Sequence, residues 1–456
     1  VIRGVTRERL PDCASQPRVP SRVDNSSANP PAIGVVGGGQ LAWMLAAAAR
    51  DLGVPLQVQT PSPDDPAVAL ASGVVLAAVD DCGATAELAS RCSALSFENE
   101  WIPLDRLAAL EQGGVRFLPS LAALRPLVCK RRQRELLGQL HLPCPRWAPL
   151  AAVLMPQEPP DSAQGEGGFS GVAWHGSGTA SATALAPARS EAAPQQPRLP
   201  DGFGFPLMAK ACTGGYDGKG TLPIPDQAAL EALLERVDPE GWILEEMVAF
   251  ELELALTAAR NAEGTVVVYP LVQTQQHHQV CDWVLFPAPV SHAVEAFARN
   301  VAASLLTALD YVGVLSIEFF HGPAGLQVNE IAPRTHNSAH YTIEACRCSQ
   351  FEQQVRIVAG LTMGLSEPVL PGALMVNLLG FETLAADDQA ADYSERRDAL
   401  AALPGASLHW YGKRGSQPGR KLGHLTLALA GAGHSEREAE RQQLLAAVRE
   451  IWPLPA

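Results

Sequence analysis

Positive charge is scarce in this chain. Its 456 residues carry 34 lysines and arginines against 48 aspartates and glutamates, a formal net charge of −14. A surface of that sign argues against broad nucleic-acid binding, so any local basic cluster points instead to a small anion. Long apolar runs are missing too: none approaches the roughly 18 residues a membrane span needs. The nine cysteines, spread from Cys13 to Cys348, form no CxxC pair and no zinc-like spacing, only a CxC at Cys346 and Cys348. Idle or buried thiols in a reducing cytoplasm are the plain reading. Residues 1–30 mix five arginines with Glu8, Asp12 and Asp24 and lack the apolar stretch of a secretory signal. They read as a disordered tail, with an organelle transit peptide as the alternative.

What remains is a composition suited to a soluble globular protein, 47% hydrophobic and 18% charged, and long enough for two to four domains. The first strong pattern is "AIGVVGGGQLAWMLAAAARDLG", Ala32 to Gly53, a β-branched strand running through a glycine turn into an Ala/Leu-rich helix. With the following "PLQVQT" it predicts a βαβ opening of an α/β domain. From Gln157 to Pro200 the chain turns to Gly, Ser, Ala, Pro and Gln, which reads as a flexible insertion. Beyond it, "GWILEEMVAFELELALTAAR" predicts two half-buried strands, "SHAVEAFARNVAASLLTAL" a helix and "VGVLSIEFFHGPAGLQVNEIAP" a hairpin. "LHWYGKR" and "GHLTLAL" predict two more strands before a polar C-terminal helix.

Gly37-Gly38-Gly39-Gln40-Leu41-Ala42 fits the GxGxxA form of the dinucleotide fingerprint, yet the second strand ends in Thr60, not in the acid that binds a ribose. A turn admitting another phosphate, or a substrate, to the helix N-terminus is the better expectation. "KACTGGYDGKG", Lys210 to Gly220, resembles a phosphate loop but fails the P-loop pattern, because Gly218-Lys219 is followed by Gly220 and Thr213 replaces the leading glycine. The hairpin carries the firmest chemical signal. A turn centred on Ala324 sets Glu318 directly opposite Glu330, and like charges across a strand pair need a neutraliser. Oxygen ligands alone, with Asn329 adjacent, favour Mg²⁺. Lys210 at a strand end beside a glycine loop completes the parts of an ATP site. "YGKRGSQPGRKLGH" gathers Lys413, Arg414, Arg420 and Lys421 with no acid between, which suits a phosphorylated substrate.

Five stretches, "GGGQLAWML", "FENE", "KACTGGYDGKG", "NEIAPRTHNSAHYT" and "HWYGKRGSQPGRKLGH", make the chain from about Ile33 to Leu429 resemble the ATP-grasp superfamily. Within it, the resemblance is to the 5-(carboxyamino)imidazole ribonucleotide synthase family of purine biosynthesis. It implies an α/β (α+β) architecture: a Rossmann-like pre-ATP-grasp domain over 31–128, an ATP-grasp domain over 129–373 and a small β-rich C-terminal domain over 374–456. It implies a ligase using ATP, Mg²⁺ and bicarbonate to carboxylate 5-aminoimidazole ribonucleotide, in a cytoplasmic homodimer without nucleic-acid or membrane partners.

Carried over residue by residue, Lys130 and Lys210 resemble ATP-phosphate contacts. Gly215, Tyr216, Asp217, Gly218, Lys219, Gly220 and Thr221 resemble the covering loop. Glu245, Glu246, Met247 and Val248 match the adenine segment, Glu253 the ribose acid and Gln276 a nearby nucleotide contact. Asn329 and Glu330 border the phosphates, and Glu318 and Glu330 match the metal ligands. Gln40, Glu98, Tyr216, Asp217, Arg334, His336, Asn337, Lys413, Arg420 and Lys421 resemble groups around the ribonucleotide and carboxyphosphate. Among these, Asp217, Arg334, His336, Lys413 and Arg420 are the catalytic candidates. Ala42 and Trp43 depart from the family's Gly and Arg, and "SFENEW" is shorter than the usual acidic motif, leaving Glu98 and Glu100 as rival contacts. Another ATP-grasp ligase, such as a formate-using glycinamide ribonucleotide transformylase or a biotin carboxylase, would share the ATP residues but not the Arg334/His336 and Lys413/Arg420 context. A nucleotide-binding regulator without turnover and an NAD-dependent oxidoreductase remain as readings of other classes.

Overall fold

The computed structural model describes residues 30–154, 197–215, 220–385 and 388–455. The expected tail and the expected insertion lie almost wholly outside the described residues. The Arg198 amide donates to the Val153 carbonyl at 2.9 Å, so the chain re-enters the fold at the point where it left.

The β-branched runs near the N-terminus form a parallel sheet in the spatial order Gly73–Leu76, Leu56–Thr60, Ile33–Val36, Ala94–Phe97. Helix Gln40–Asp51 covers it because Ala42, Leu45, Ala46 and Ala49 recur on one face; they share a core with Phe351, Val355 and Val358 of helix Gln350–Val358. The first domain is thereby packed onto the one that follows. Strand order reverses between Ile33–Val36 and Ala94–Phe97, and crevices open beyond the carboxyl ends of strands at such a reversal. The glycine turn and Glu98 both sit there.

The alternating run after Gly241 does give two strands, but in different sheets. Trp242–Glu246 joins Trp147–Pro149, Leu207–Ala211 and Thr221–Ile224 in a four-stranded antiparallel sheet. Leu252–Arg260 belongs to a nine-stranded sheet, so residues 247–251 cross from one sheet to the other. The large sheet runs Gly325–Ala332, Gly313–Gly322, Leu252–Arg260, Val272–His277, Val280–Phe286, Gly372–Leu379, Lys421–Leu429, Ala406–Trp410, with Val266–Val268 also paired to Leu252–Arg260. Helix His292–Ala308 seals one face, setting Val301, Leu305 and Leu306 against Leu254, Leu256, Ile317 and Phe319.

The border expected between residues 373 and 374 falls inside the strand Gly372–Leu379. That strand pairs with Val280–Phe286 on one side and Lys421–Leu429 on the other. The C-terminal segment therefore extends the central sheet and forms no separate sheet of its own. Its run is buried along its whole length, a pattern that marks a strand without naming its neighbours. No helix among the described residues is long and apolar enough to cross a membrane.

Candidate active site

Glu318 and Glu330 stand directly opposite one another, as expected, but by another route. The turn is tighter and earlier than one centred on Ala324: Gly322 pairs with Gly325, leaving Pro323 and Ala324 at the tip. Continued from there, the register would set Asn329 opposite Glu318. A bulge intervenes, Phe319 pairing with Val328 and Glu318 with Glu330, so Asn329 is the extra residue. Bulges re-aim side chains. This one leaves Val328 and Ile331 in the core and brings Asn329 to the same face as Glu330. Its Nδ2 lies 3.4 Å from Glu318 Oε2, and its Oδ1 accepts from Lys210 Nζ at 3.1 Å.

The charges on this face are unevenly compensated. Burial, then the Glu330 charge, pushes the Glu318 carboxyl up to about 7. Burial acts on Glu330 as well, but Lys130, 2.7 Å away, together with Lys210 and Arg134 outweighs it and holds that carboxyl below its usual range. One strand further, burial and the Glu318 charge push Glu253 to about 7. His336 Nε2 is 3.7 Å from Glu318 Oε1. Three acids thus share a face on which, among the described residues, only Glu330 has a close cationic partner. Among the described residues no group of three or more His, Cys, Asp or Glu stands at metal-holding spacing. Two opposed carboxylates and an amide oxygen, completed by phosphates and water, fit Mg²⁺ better than an all-protein cage does.

Lys210 projects from the strand Leu207–Ala211 into the same space and is buried. Its Nζ lies 2.6 Å from Glu245 Oε2, while Arg134 Nε donates to Glu245 Oε1 at 2.6 Å. Arg134 also donates to the Asn329 carbonyl, tying this buried triad to the bulge. Burial, with the Arg134 and Lys130 charges, presses Lys210 below its usual value against the pull of Glu245. Glu245 resists burial more successfully, because Arg134 and Lys210 both serve it; it is held at about 2. The Glu245 side chain, expected at the adenine, pairs with Arg134 and Lys210.

This pairing has a pH signature. Glu245 ionises at about 4.5 in an unfolded chain and at about 2 in the fold. Its contribution is complete above the first value and lost as pH falls through the second, on the order of 3 kcal/mol. Urea midpoints of the wild type are expected to fall more steeply with acid across that window than those of Glu245→Gln. Parallel curves would show that Glu245 does not carry this charge.

The glycine turn is filled from within the chain. Glu98 fills the helix N-terminus, accepting from the amides of Gly39 at 2.7 Å, Leu41 at 3.1 Å and Ala42 at 3.4 Å. A Cβ on Gly37 or on Gly39 would lie 2.5 Å from Glu98, and one on Gly38 would lie 2.3 Å from Thr60 Oγ1. The glycines make room for the chain's own side chains, so a phosphate at this N-terminus would have to displace Glu98. The second acid of "FENE", Glu100, grips Arg334 by two bonds, Nε to Oε2 at 2.6 Å and Nη2 to Oε1 at 3.3 Å. Gln40 accepts from Lys413, which also donates to the Lys421 carbonyl at 2.9 Å. The Lys421 charge reaches Glu318.

The basic cluster is divided. Lys413 turns to the Gln40 wall, whereas Arg420 is exposed and donates to the carbonyls of its own loop, Arg414 at 2.6 Å and Gly415 at 3.3 Å. Arg414 pairs with Asp64 at 2.8 Å, an acid far away in sequence. Asn337, expected at the substrate, spends its amide on a reciprocal pair with buried Asn377, at 2.9 and 2.7 Å. Glu246 pairs with Arg146; Met247 is exposed and Val248 half-buried between the two sheets. Gln276 lies at a bulge in its strand. Gly215 and Gly220 flank the loop, and Thr221 pairs with Lys210. Tyr216, Asp217, Gly218 and Lys219 lie outside the described residues.

Several groups that hold the site carried no sequence signal. Gln350 clamps the His336 backbone from both sides, accepting from its amide at 2.8 Å and donating to its carbonyl at 2.7 Å. Arg134 likewise acts on residues more than a hundred positions away.

Comparison with known proteins places the chain among named relatives. Three family models match in series: the ribonucleotide synthetase preATP-grasp domain over residues 31–126, the ATP-grasp domain over 182–351 and the phosphoribosylaminoimidazole carboxylase C-terminal domain over 373–440. An N5-carboxyaminoimidazole ribonucleotide synthase from Synechococcus elongatus is 46% identical over 423 residues, 93% of this chain and 96% of that protein. A crystal structure of the corresponding synthetase from Thermus thermophilus aligns with a TM-score of 0.71 at 30% identity, covering 92% of this chain and 98% of that one. A third, from Aspergillus clavatus in complex with ADP and 5-aminoimidazole ribonucleotide, aligns at 0.72 and 26%, covering 92% and 99%.

Proposed function

The chain belongs to the N5-carboxyaminoimidazole ribonucleotide synthase family of ATP-grasp ligases, and from that premise we propose how its residues share the reaction. ATP, bicarbonate and 5-aminoimidazole ribonucleotide give ADP, phosphate and the N5-carboxylated ribonucleotide, a step of purine synthesis. Bicarbonate attacks the γ-phosphate in line and ADP departs, leaving carboxyphosphate. Carboxyphosphate, or CO₂ released from it, then meets the ribonucleotide amine. No protein nucleophile is needed; the chain must place anions and screen their charge.

Lys210 and Lys130 take the phosphate oxygens, one anchored by Glu245 and the other by Glu330. Glu318 and Glu330, with the Asn329 amide oxygen, would hold Mg²⁺, which when bound supplies positive charge to the phosphates. Residues 247–248, on the path between the sheets, serve adenine, and Glu253, in the strand next to that of Glu318, serves ribose. Across the cleft, Arg334 on its Glu100 tether and Lys413 on Gln40 face the carboxyphosphate and the ribonucleotide. His336, fixed by Gln350, links the two halves through Glu318. Asp217 keeps its sequence-based role, orienting the amine or taking its proton. A cytoplasmic homodimer belongs to the same reading.

One observation carries the assignment: a bulge brings the paired carboxylates, Asn329 and the buried lysine onto one face. The test is ADP release in bicarbonate and Mg²⁺, with and without the ribonucleotide. Ribonucleotide-stimulated release at neutral pH is expected. Release that ignores the ribonucleotide would leave a nucleotide-binding protein of another kind.

A further inference from the structure

We propose that Cys129 and Cys212 form a reversible disulfide at the wall of the nucleotide cleft, made by exchange with a small-molecule or protein disulfide. Cys129 is the N-cap of helix Lys130–Gln139, and Cys212 directly follows the strand that carries Lys210. The Lys130 amide, part of the peptide Cys129 begins, donates to the Cys212 carbonyl at 2.8 Å. The Cys212 amide is itself pinned to the Gly241 carbonyl at 2.8 Å. Two backbones are thereby held side by side at the points where the two thiols branch off. Side chains that branch from paired backbones can be bridged once their sulfurs close to bonding distance.

The two sulfurs are chemically unequal. The bond shared with Cys212, helped by the Arg131 and Arg132 amides, lowers the Cys129 thiol to about 5, while Cys212 is raised. Cys92, Cys144, Cys281, Cys346 and Cys348 are all raised by burial. Cys129 is also the more exposed of the pair. It is the attacking sulfur. Its thiolate opens an external disulfide, forming a mixed disulfide and releasing one thiolate. Cys212 then loses its proton and displaces the second, so two protein thiols are oxidised and one external disulfide becomes two thiols.

The location gives the bond a consequence. Lys130, next to Cys129, holds Glu330; Cys212, Thr213, Gly214 and Gly215 line the same cleft wall. Contracting a thiol contact to a covalent bond moves both elements, so the oxidised form binds ATP more weakly. This rests on the nucleotide-site reading, but the bond itself is scored without ATP.

The full chain is incubated with oxidised glutathione and mapped as peptides without reductant, and ATP affinity is measured before and after. A 129–212 cross-link, ATP binding at least tenfold weaker and recovery with dithiothreitol are expected. Cys129→Ser should keep its affinity under oxidant, whereas Cys212→Ser should stop at the mixed disulfide on Cys129 and yield no 129–212 peptide. A tenfold coupling would make the couple about 30 mV more positive in saturating ATP. No 129–212 peptide while other cysteines react overturns the proposal. So does a cross-link with unchanged ATP affinity, or an equal loss in Cys129→Ser.

Discussion

Lys210→Met is expected to lower kcat/KM for ATP by about 10²–10³-fold, the scale for removing one preorganised charge from a phosphoryl-transfer site. The lysine is buried, its ammonium lies between Glu245 and Asn329, and nothing else on its strand can replace it. The variant also leaves Glu245 with Arg134 alone, so thermal melting must be followed in parallel. A second variant, Lys210→Arg, keeps the charge but changes its shape, and should recover stability more than turnover, because a planar fork does not reproduce a compact ammonium. If Lys210→Met turns over within threefold of wild type, the phosphates lie elsewhere.

Glu330→Gln should cost a comparable factor and raise the Mg²⁺ concentration needed for half-maximal rate. The two carboxylates are placed to act on one cation, so Glu318→Gln combined with Glu330→Gln should cost little more than either alone. Additive losses would mean that the acids serve separate purposes. Removal of Mg²⁺ by a chelator should abolish ADP release in the wild type and add little in the double variant. The Glu330 variant further frees Lys130 from its 2.7 Å partner, so its KM for ATP needs to be read separately from its kcat.

The residues read from sequence divide by how local their determinants are. Strands and helices with clear periods were legible, as was the opposition of Glu318 and Glu330, though the turn lies earlier than expected and a bulge supplies the compensating residue. Period-two patterning fixes which residues share a face, but no pattern marks where one residue is skipped. The glycine motif shows where side chains are absent and says nothing of what fills the space; Glu98 and Thr60 do. The basic cluster looked uncompensated because its counter-charge, Asp64, comes from the first domain. Glu245 was placed by its neighbours in the chain, while its partners, Arg134 and Lys210, arrive from two other elements. Gln350 has no sequence mark at all, since it acts entirely on another segment's backbone.

The continuous nine-stranded sheet limits where this protein can be cut. A chain ending at residue 371 would keep every proposed ATP residue and lose the strand that covers Val280–Phe286. That strand, VCDWVLF, is buried almost throughout and would become a bare edge with unpaired amides and carbonyls. Exposed apolar edges recruit other chains. Shortened forms should therefore be lost to self-association before they lose their nucleotide chemistry, and the segment from Gly372 onward acts as the guard of that edge.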